Sequence, residues 1–115
     1  MAAPSKSRPE LVPGTLEMLI LTTLTRGPMH GYGIARLILD ASENELQVEE
    51  GSLYPALQRM LMKGWVTAEW GQTENNRQAR YYRPTPAGRR QLGAEISEFR
   101  RGISAIEKVL RPVEV

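Results

Sequence analysis

The sequence predicts a mainly α fold with a small β-hairpin: a winged helix-turn-helix plus a long C-terminal dimerisation helix. Three observations carry that expectation. From Gly51 to Leu92 the chain reads in immediate succession as an amphipathic helix, a basic two-stranded hairpin and the start of another helix. Two shorter helical patterns precede this stretch. Beyond it, Leu92, Ile96, Phe99, Ile103, Ile106 and Leu110 recur at alternating spacings of four and three, the heptad seam of a helix that pairs with another.

Met1 to Pro13 holds three prolines with Lys6 and Arg8 and no periodicity, and is expected to be a flexible basic arm. Thr15 is placed to cap a first helix whose apolar face is Leu16, Leu19, Ile20 and Leu24, with Glu17 favourable in the first turn. Arg26-Gly27-Pro28 ends it. A second helix is expected from about Gly31, with apolar contacts from Tyr32, Ile34, Ala35, Ile38 and Leu39, until Asp40 to Asn44 break the pattern. Glu45 to Glu50 is then a turn.

The third helix places Leu53, Ala56, Leu57, Met60 and Leu61 on one stripe of a 3.6-residue period and stops at Lys63-Gly64. If it begins near Ser52, Pro55 falls in the first turn, where a missing amide has no intrahelical partner to lose. Val66 to Trp70 alternates Val66, Ala68 and Trp70 against Thr67 and Glu69, and Ala79 to Arg83 supplies the returning strand. The polar stretch between, Gly71 to Gln78, is too long for a two-residue turn and reads as a wing.

Thr85-Pro86 is a cap followed by proline at the first helical position, and opens a helix from Pro86 to Leu110. At 1.5 Å per residue that helix is about 37 Å long, more than a small head can cover. Its stripe would lie bare in a monomer, so a two-fold dimer through this helix, joined by the first, is expected. Packing within one chain is the alternative. Gly93 and Gly102 interrupt the helix but let a neighbouring helix approach closely. The division that follows is an arm at 1–13, a winged helix-turn-helix domain at 14–85, a dimerisation helix at 86–111 and a tail at 112–115.

Composition narrows the function. A chain of 115 residues is one small domain, which a partner subunit would help to stabilise. It has no cysteine, which excludes disulfides, thiolate metal sites and thiol redox sensing, and suits a reducing cytoplasm. The first apolar run, Leu16 to Leu24, contains Glu17 and two threonines and is far short of a membrane span, so neither a signal peptide nor a membrane partner is expected. The net charge of +2 is small but uneven. Asp40 to Glu50 carries five acids and no base, whereas Gly71 to Arg90 sets one acid, Glu74, against Arg77, Arg80, Arg83, Arg89 and Arg90. A basic hairpin beside a helix bearing Arg59 and Lys63 is an electrostatic footprint for a phosphate backbone.

On the third helix the stripe leaves Ser52, Tyr54, Pro55, Gln58, Arg59 and Lys63 outward, the donors and cations that bond phosphates and base edges in a major groove. Arg77 and Arg80 are the wing's candidates for phosphates or the adjacent minor groove. Tyr54 has two readings, a ring packed under the wing or a hydroxyl on a phosphate, and Tyr32 is a weaker case of the second. Trp65 and Trp70 read as core and wing-base residues. His30, the one histidine, reads as a cap or packed polar group. With a single aspartate, Asp40, no cysteine, no phosphate loop and no spaced metal ligands, no enzyme, cofactor or metal is expected.

LYPAL at 53–57, GW at 64–65 and YYRPTPAGRRQL at 81–92 resemble the corresponding motifs of the PadR-like transcriptional regulators. GTLEMLILTTL at 14–24 and MHGYGI at 29–34 resemble that family's first two helices, so separated motifs match in order from about Gly14 to Leu110. One departure is Pro84, where the family has an aliphatic residue; it is expected to shorten the second wing strand. The resemblance implies a homodimeric repressor of double-stranded operator DNA, with a tyrosine of LYPAL at the DNA face and an inducer acting through the last helix. It also implies that Phe99, at the dimer seam, can line a pocket for a small aromatic effector, with core packing the competing role. The rival reading is a winged-helix protein-protein interaction module that never contacts DNA, for which the acidic run at Asp40 to Glu50 is the support.

Overall fold

The computed structural model describes residues 11–12 and 14–113. In order, the elements are helices α1 (Leu16–Leu24), α2 (Gly31–Ala41) and α3 (Glu50–Met62), strands β1 (Val66–Gln72) and β2 (Gln78–Pro84), helix α4 (Pro86–Leu110) and a 3-10 turn, Arg111–Val113. The arm expected at 1–13 lies outside the described residues except for Leu11 and Val12.

Apolar spacing sets the three short helices around one core. Ile20, Leu21 and Leu24 of α1, Ile34 and Ile38 of α2, and Leu53, Ala56, Leu57 and Met60 of α3 are buried together, with Val66, Tyr82 and Leu92 closing the cluster from the wing and α4. The apolar face of α1 is broader than the sequence suggested: Met18 and Leu21 are buried, while Leu16 and Leu19 are only partly so, because α1 lies between α3 and α4 and is covered on two sides. Thr15 precedes α1 but does not cap it with its side chain; its hydroxyl donates to the Val12 carbonyl at 2.6 Å.

At the end of α3 the Gly64 amide donates to Leu61 and the Trp65 amide to Met60, with Gly64 at φ +76°. This paired closure leaves few carbonyls of the last turn bare. The start of α3 departs from expectation. The helix begins at Glu50, so Pro55 is its sixth residue and not a first-turn one. The proline therefore removes the amide that would have bonded the Gly51 carbonyl. Interior proline costs a helix about 3 kcal/mol relative to alanine. Pro55→Ala is accordingly expected to raise stability by about 1–3 kcal/mol, seen as a higher melting temperature. A lower one would show that the ring makes compensating contacts.

The hairpin is longer than the apolar alternation indicated. β1 and β2 pair antiparallel from Val66 opposite Pro84 to Gln72 opposite Gln78, leaving Thr73 to Arg77 as the wing turn. Pro84 does not shorten β2; it is the terminal residue, where a missing ladder amide costs least. Met29 adds a bridge to Tyr82, its amide and carbonyl both engaged at 3.2 and 2.8 Å, which ties the loop before α2 to the wing. Val66 is buried and Ala68 partly so, but Trp70 on the same face is 67% exposed, because β1 has by then run past the edge of the core.

Helix α4 has the bounds that its cap and seam indicated. The Thr85 hydroxyl accepts from the Gly88 amide at 3.0 Å and donates to the Gly64 carbonyl at 2.6 Å, fixing the helix start against the end of α3. The helix runs without interruption through Gly93 and Gly102. Its first half shares the core through Leu92 and Ile96, and its second half extends clear of the head. The radius of gyration, 16.5 Å, exceeds the roughly 13 Å of a compact chain of this length, and this projecting half accounts for the difference.

Candidate nucleic-acid interface

Three elements converge on one groove of about 1050 Å³: the start of α2, the flank of α3 that bears Tyr54, and the wing. Tyr32, Arg36, Tyr54, Trp70, Arg77 and Arg80 stand along it. Tyr32 and Tyr54 also line a second hollow of about 490 Å³ above the start of α3, so the two tyrosines form the ridge between them.

The start of α2 is fixed by His30, whose Nδ1 accepts from the Gly33 amide at 3.0 Å. The histidine is a helix cap, as one of its sequence readings held. Its ring stacks with Tyr32 at 6.4 Å and meets Tyr81 edge-on at 5.3 Å. Tyr32 is therefore not an apolar core contact of α2; it is 68% exposed. One helical turn on, Arg36 pairs with Asp40 at 3.3 Å, and Asp40 first, then a hydrogen bond to Tyr32, holds the guanidinium more firmly protonated. Asp40, an acid of the run that would repel phosphate, is thus already matched by a cation.

Tyr54 is 45% exposed and lies outside the buried core. Its ring lies on Gly31, where an added Cβ would come within 2.5 Å of the hydroxyl oxygen, so glycine is needed for the approach. Partial burial, followed by the charges of Glu50 and Tyr82, pushes its phenol above the usual tyrosine value. The hydroxyl therefore stays a neutral donor through the physiological range. Across the groove, Arg80 sits over the Trp70 ring at 5.9 Å, its cross-strand partner. Thr73 braces the turn: its Oγ1 accepts from the Arg77 amide at 3.2 Å and its own amide donates to the Arg77 carbonyl at 2.8 Å.

Ser52, Pro55 and Gln58 lie exposed along the outer face of α3. Arg59 and Lys63 lie on the flank opposite Tyr54, and both are engaged by a residue read from sequence only as a first-turn acid. Glu17 of α1 accepts from Arg59 Nε at 3.1 Å and lies 3.6 Å from Lys63 Nζ, which also sits 4.5 Å over the Trp65 ring. The sequence reading did not single out Arg36 and Trp70 as groove residues or Glu17 as the partner of Arg59 and Lys63. Arg36 had a local signal, since it follows Tyr32 by one helical turn on an exposed face. Glu17 had none, because its partners are remote in sequence.

The seam of α4 divides in two. Leu92 is buried and Ile96 packs on the core, but Phe99, Ile103, Ile106 and Leu110 are 37, 37, 54 and 58% exposed. Phe99 lines neither groove. Among the described residues no three histidine, aspartate or glutamate side chains gather as a metal site, and no helix is long and apolar enough to cross a membrane.

Helix-turn-helix, β-hairpin wing and long following helix together define a winged-helix protein of the type found in gene regulators. The model of the transcriptional regulator PadR-like family matches residues 20–94, and the chain belongs to that family. A PadR family transcriptional regulator from Eggerthella lenta superposes with a TM-score of 0.73 at 30% identity, over 84% of this chain and 82% of that one. A transcriptional regulator from Clostridium thermocellum gives 0.76 at 26% identity, over 83% and 92%. An uncharacterised protein of Lysinibacillus sphaericus is 28% identical over 80% of this chain and 84% of its own length.

Proposed function

We propose that this transcriptional regulator binds double-stranded operator DNA as a homodimer, and that it represses by occupying its site. One observation carries the reading: Arg77 and Arg80 face Tyr32 and Tyr54 across a groove that opens beside the outer face of α3. Cations and neutral hydroxyl donors on one concave face suit two phosphate strands, and the exposed helix beside them suits a major groove. Gln58 and Arg59 are the proposed base readers. Ser52, Tyr32, Tyr54, Lys63 and the two wing arginines are the proposed backbone contacts, and Pro55 sets the shape of the helix surface between them. The head is taken as residues 14–85 and the dimer helix as 86–111, with Phe99, Ile103, Ile106 and Leu110 covered by the same residues of a second chain.

Selection of bound fragments from the source genome tests this reading. A dimer should enrich near-palindromic sites whose half-sites are separated by about one helical turn or a multiple of it. Enrichment of no sequence, together with no affinity for bulk duplex, would favour the protein-interaction module instead.

A further inference from the structure

We infer that Glu17 competes with DNA for the cations of α3, and that this competition sets how sharply the protein distinguishes an operator from other duplex. The inference rests on the DNA-binding reading above. Arg59 and Lys63 are one turn apart on α3, so a single carboxylate on the neighbouring helix reaches both, at 3.1 and 3.6 Å. The cations are half exposed, at 54 and 47%, and open to phosphate from outside. The Glu17 side chain is only 16% exposed, so water screens its charge less than it screens theirs.

Two cations sharing one carboxylate present a local charge of +1 to an approaching strand. A phosphate that takes Arg59 from Glu17 exchanges one anion for another, and the exchange releases little. At an operator the guanidinium also gains the edge of a base, which tips the exchange towards DNA. On arbitrary sequence no such reward exists, and the carboxylate keeps its partners. Arg59 is bound to the carboxylate by a hydrogen bond, whereas Lys63 pairs with it at the longer distance and also lies over the Trp65 ring. Both cations lie at the C-terminal end of α3, where the helix dipole favours them. Glu17 acts here as a positioning residue, through the side chains that touch DNA and not by touching it.

The test is the affinity of the full chain for an operator duplex and for a random-sequence duplex across a salt series. Glu17→Gln removes the charge and keeps the size. It should raise affinity for random duplex about 3- to 10-fold at low salt and steepen its salt slope by about one to two. The operator should gain less, so that discrimination falls. Adding Arg59→Ala and Lys63→Ala to Glu17→Gln should return the random-duplex slope to that of the wild type. A folded Glu17→Gln protein with wild-type slope on random duplex overturns the inference. Should Glu17→Gln not fold, Arg59→Ala/Lys63→Ala with Glu17 intact decides: a random-duplex slope reduced by no more than about one supports the competition, and a loss of about two contradicts it. A wild-type protein with no duplex affinity is a different failure, visible before any variant is made, and removes the DNA-binding reading itself.

Discussion

Gly88→Ala, where α4 docks on the head, should be the most damaging single substitution. The new Cβ would overlap the carbonyl oxygen of Trp65 and crowd its carbonyl carbon and Cα. These are backbone atoms, and they are pinned on both sides: the Trp65 amide closes α3 on Met60, and its carbonyl accepts from the Thr85 amide. Relief requires either opening the end of α3 or lifting the start of α4, with loss of the Thr85 cap. Overpacking commonly costs 1–3 kcal/mol, and an unyielding backbone contact belongs at or above the top of that range, so about 3 kcal/mol or more is expected. For a domain of this size that is a fall of roughly 10–20 °C in melting temperature. Gly93→Ala, where an added Cβ meets nothing within 4 Å, is the control and should be neutral or slightly stabilising. A Gly88→Ala protein that melts with the wild type would show that α4 docks more loosely than this geometry requires.

The second large effect is expected at the far end of α4. Ile103→Glu with Ile106→Glu places two charges in the part of the seam that the head leaves bare. If a second copy covers that seam, unpaired charge is buried there, at a cost of several kcal/mol. Sedimentation should then give a monomer, and half-site binding should replace binding to the full palindrome. If the surface is solvated in the functional protein, the cost is close to zero and the mass is unchanged. An intact dimer in this variant would place the interface elsewhere.

What the sequence disclosed follows how local each signal is. Thr85-Pro86 and the heptad spacing fixed both ends of α4, because a cap and a stripe are written in neighbouring residues. Lys63-Gly64 marked the end of α3 for the same reason. Its start was obscured because Glu49 holds the N-cap position without a side-chain cap, so nothing nearby marks Glu50 as helical and Pro55 as interior. Alternation placed Val66, Ala68 and Trp70 on one face but could not show where the core beneath them ends. Gly71, Gln72 and Gln78 have weak strand character and join the hairpin through register alone. Of the groove-lining residues, Tyr32, Tyr54, Arg77 and Arg80 were legible from residue type. Their common groove was not, since it depends on Gly31 admitting the Tyr54 ring and on Met29 tying α2 to the wing. The bond between Glu17 and Arg59 spans 42 positions, beyond the reach of any local pattern.

Duplex binding through α3 and the wing is tested most directly by the salt dependence of affinity in the wild type and in Arg77→Ala/Arg80→Ala. The wild type should bind duplex at low salt, with the logarithm of the affinity falling linearly against the logarithm of salt concentration. The double variant should bind every duplex more weakly and lose about two from that slope, one for each phosphate contact removed. No duplex affinity in the wild type at low salt, or an unchanged affinity and slope in the double variant, would contradict a DNA-binding wing.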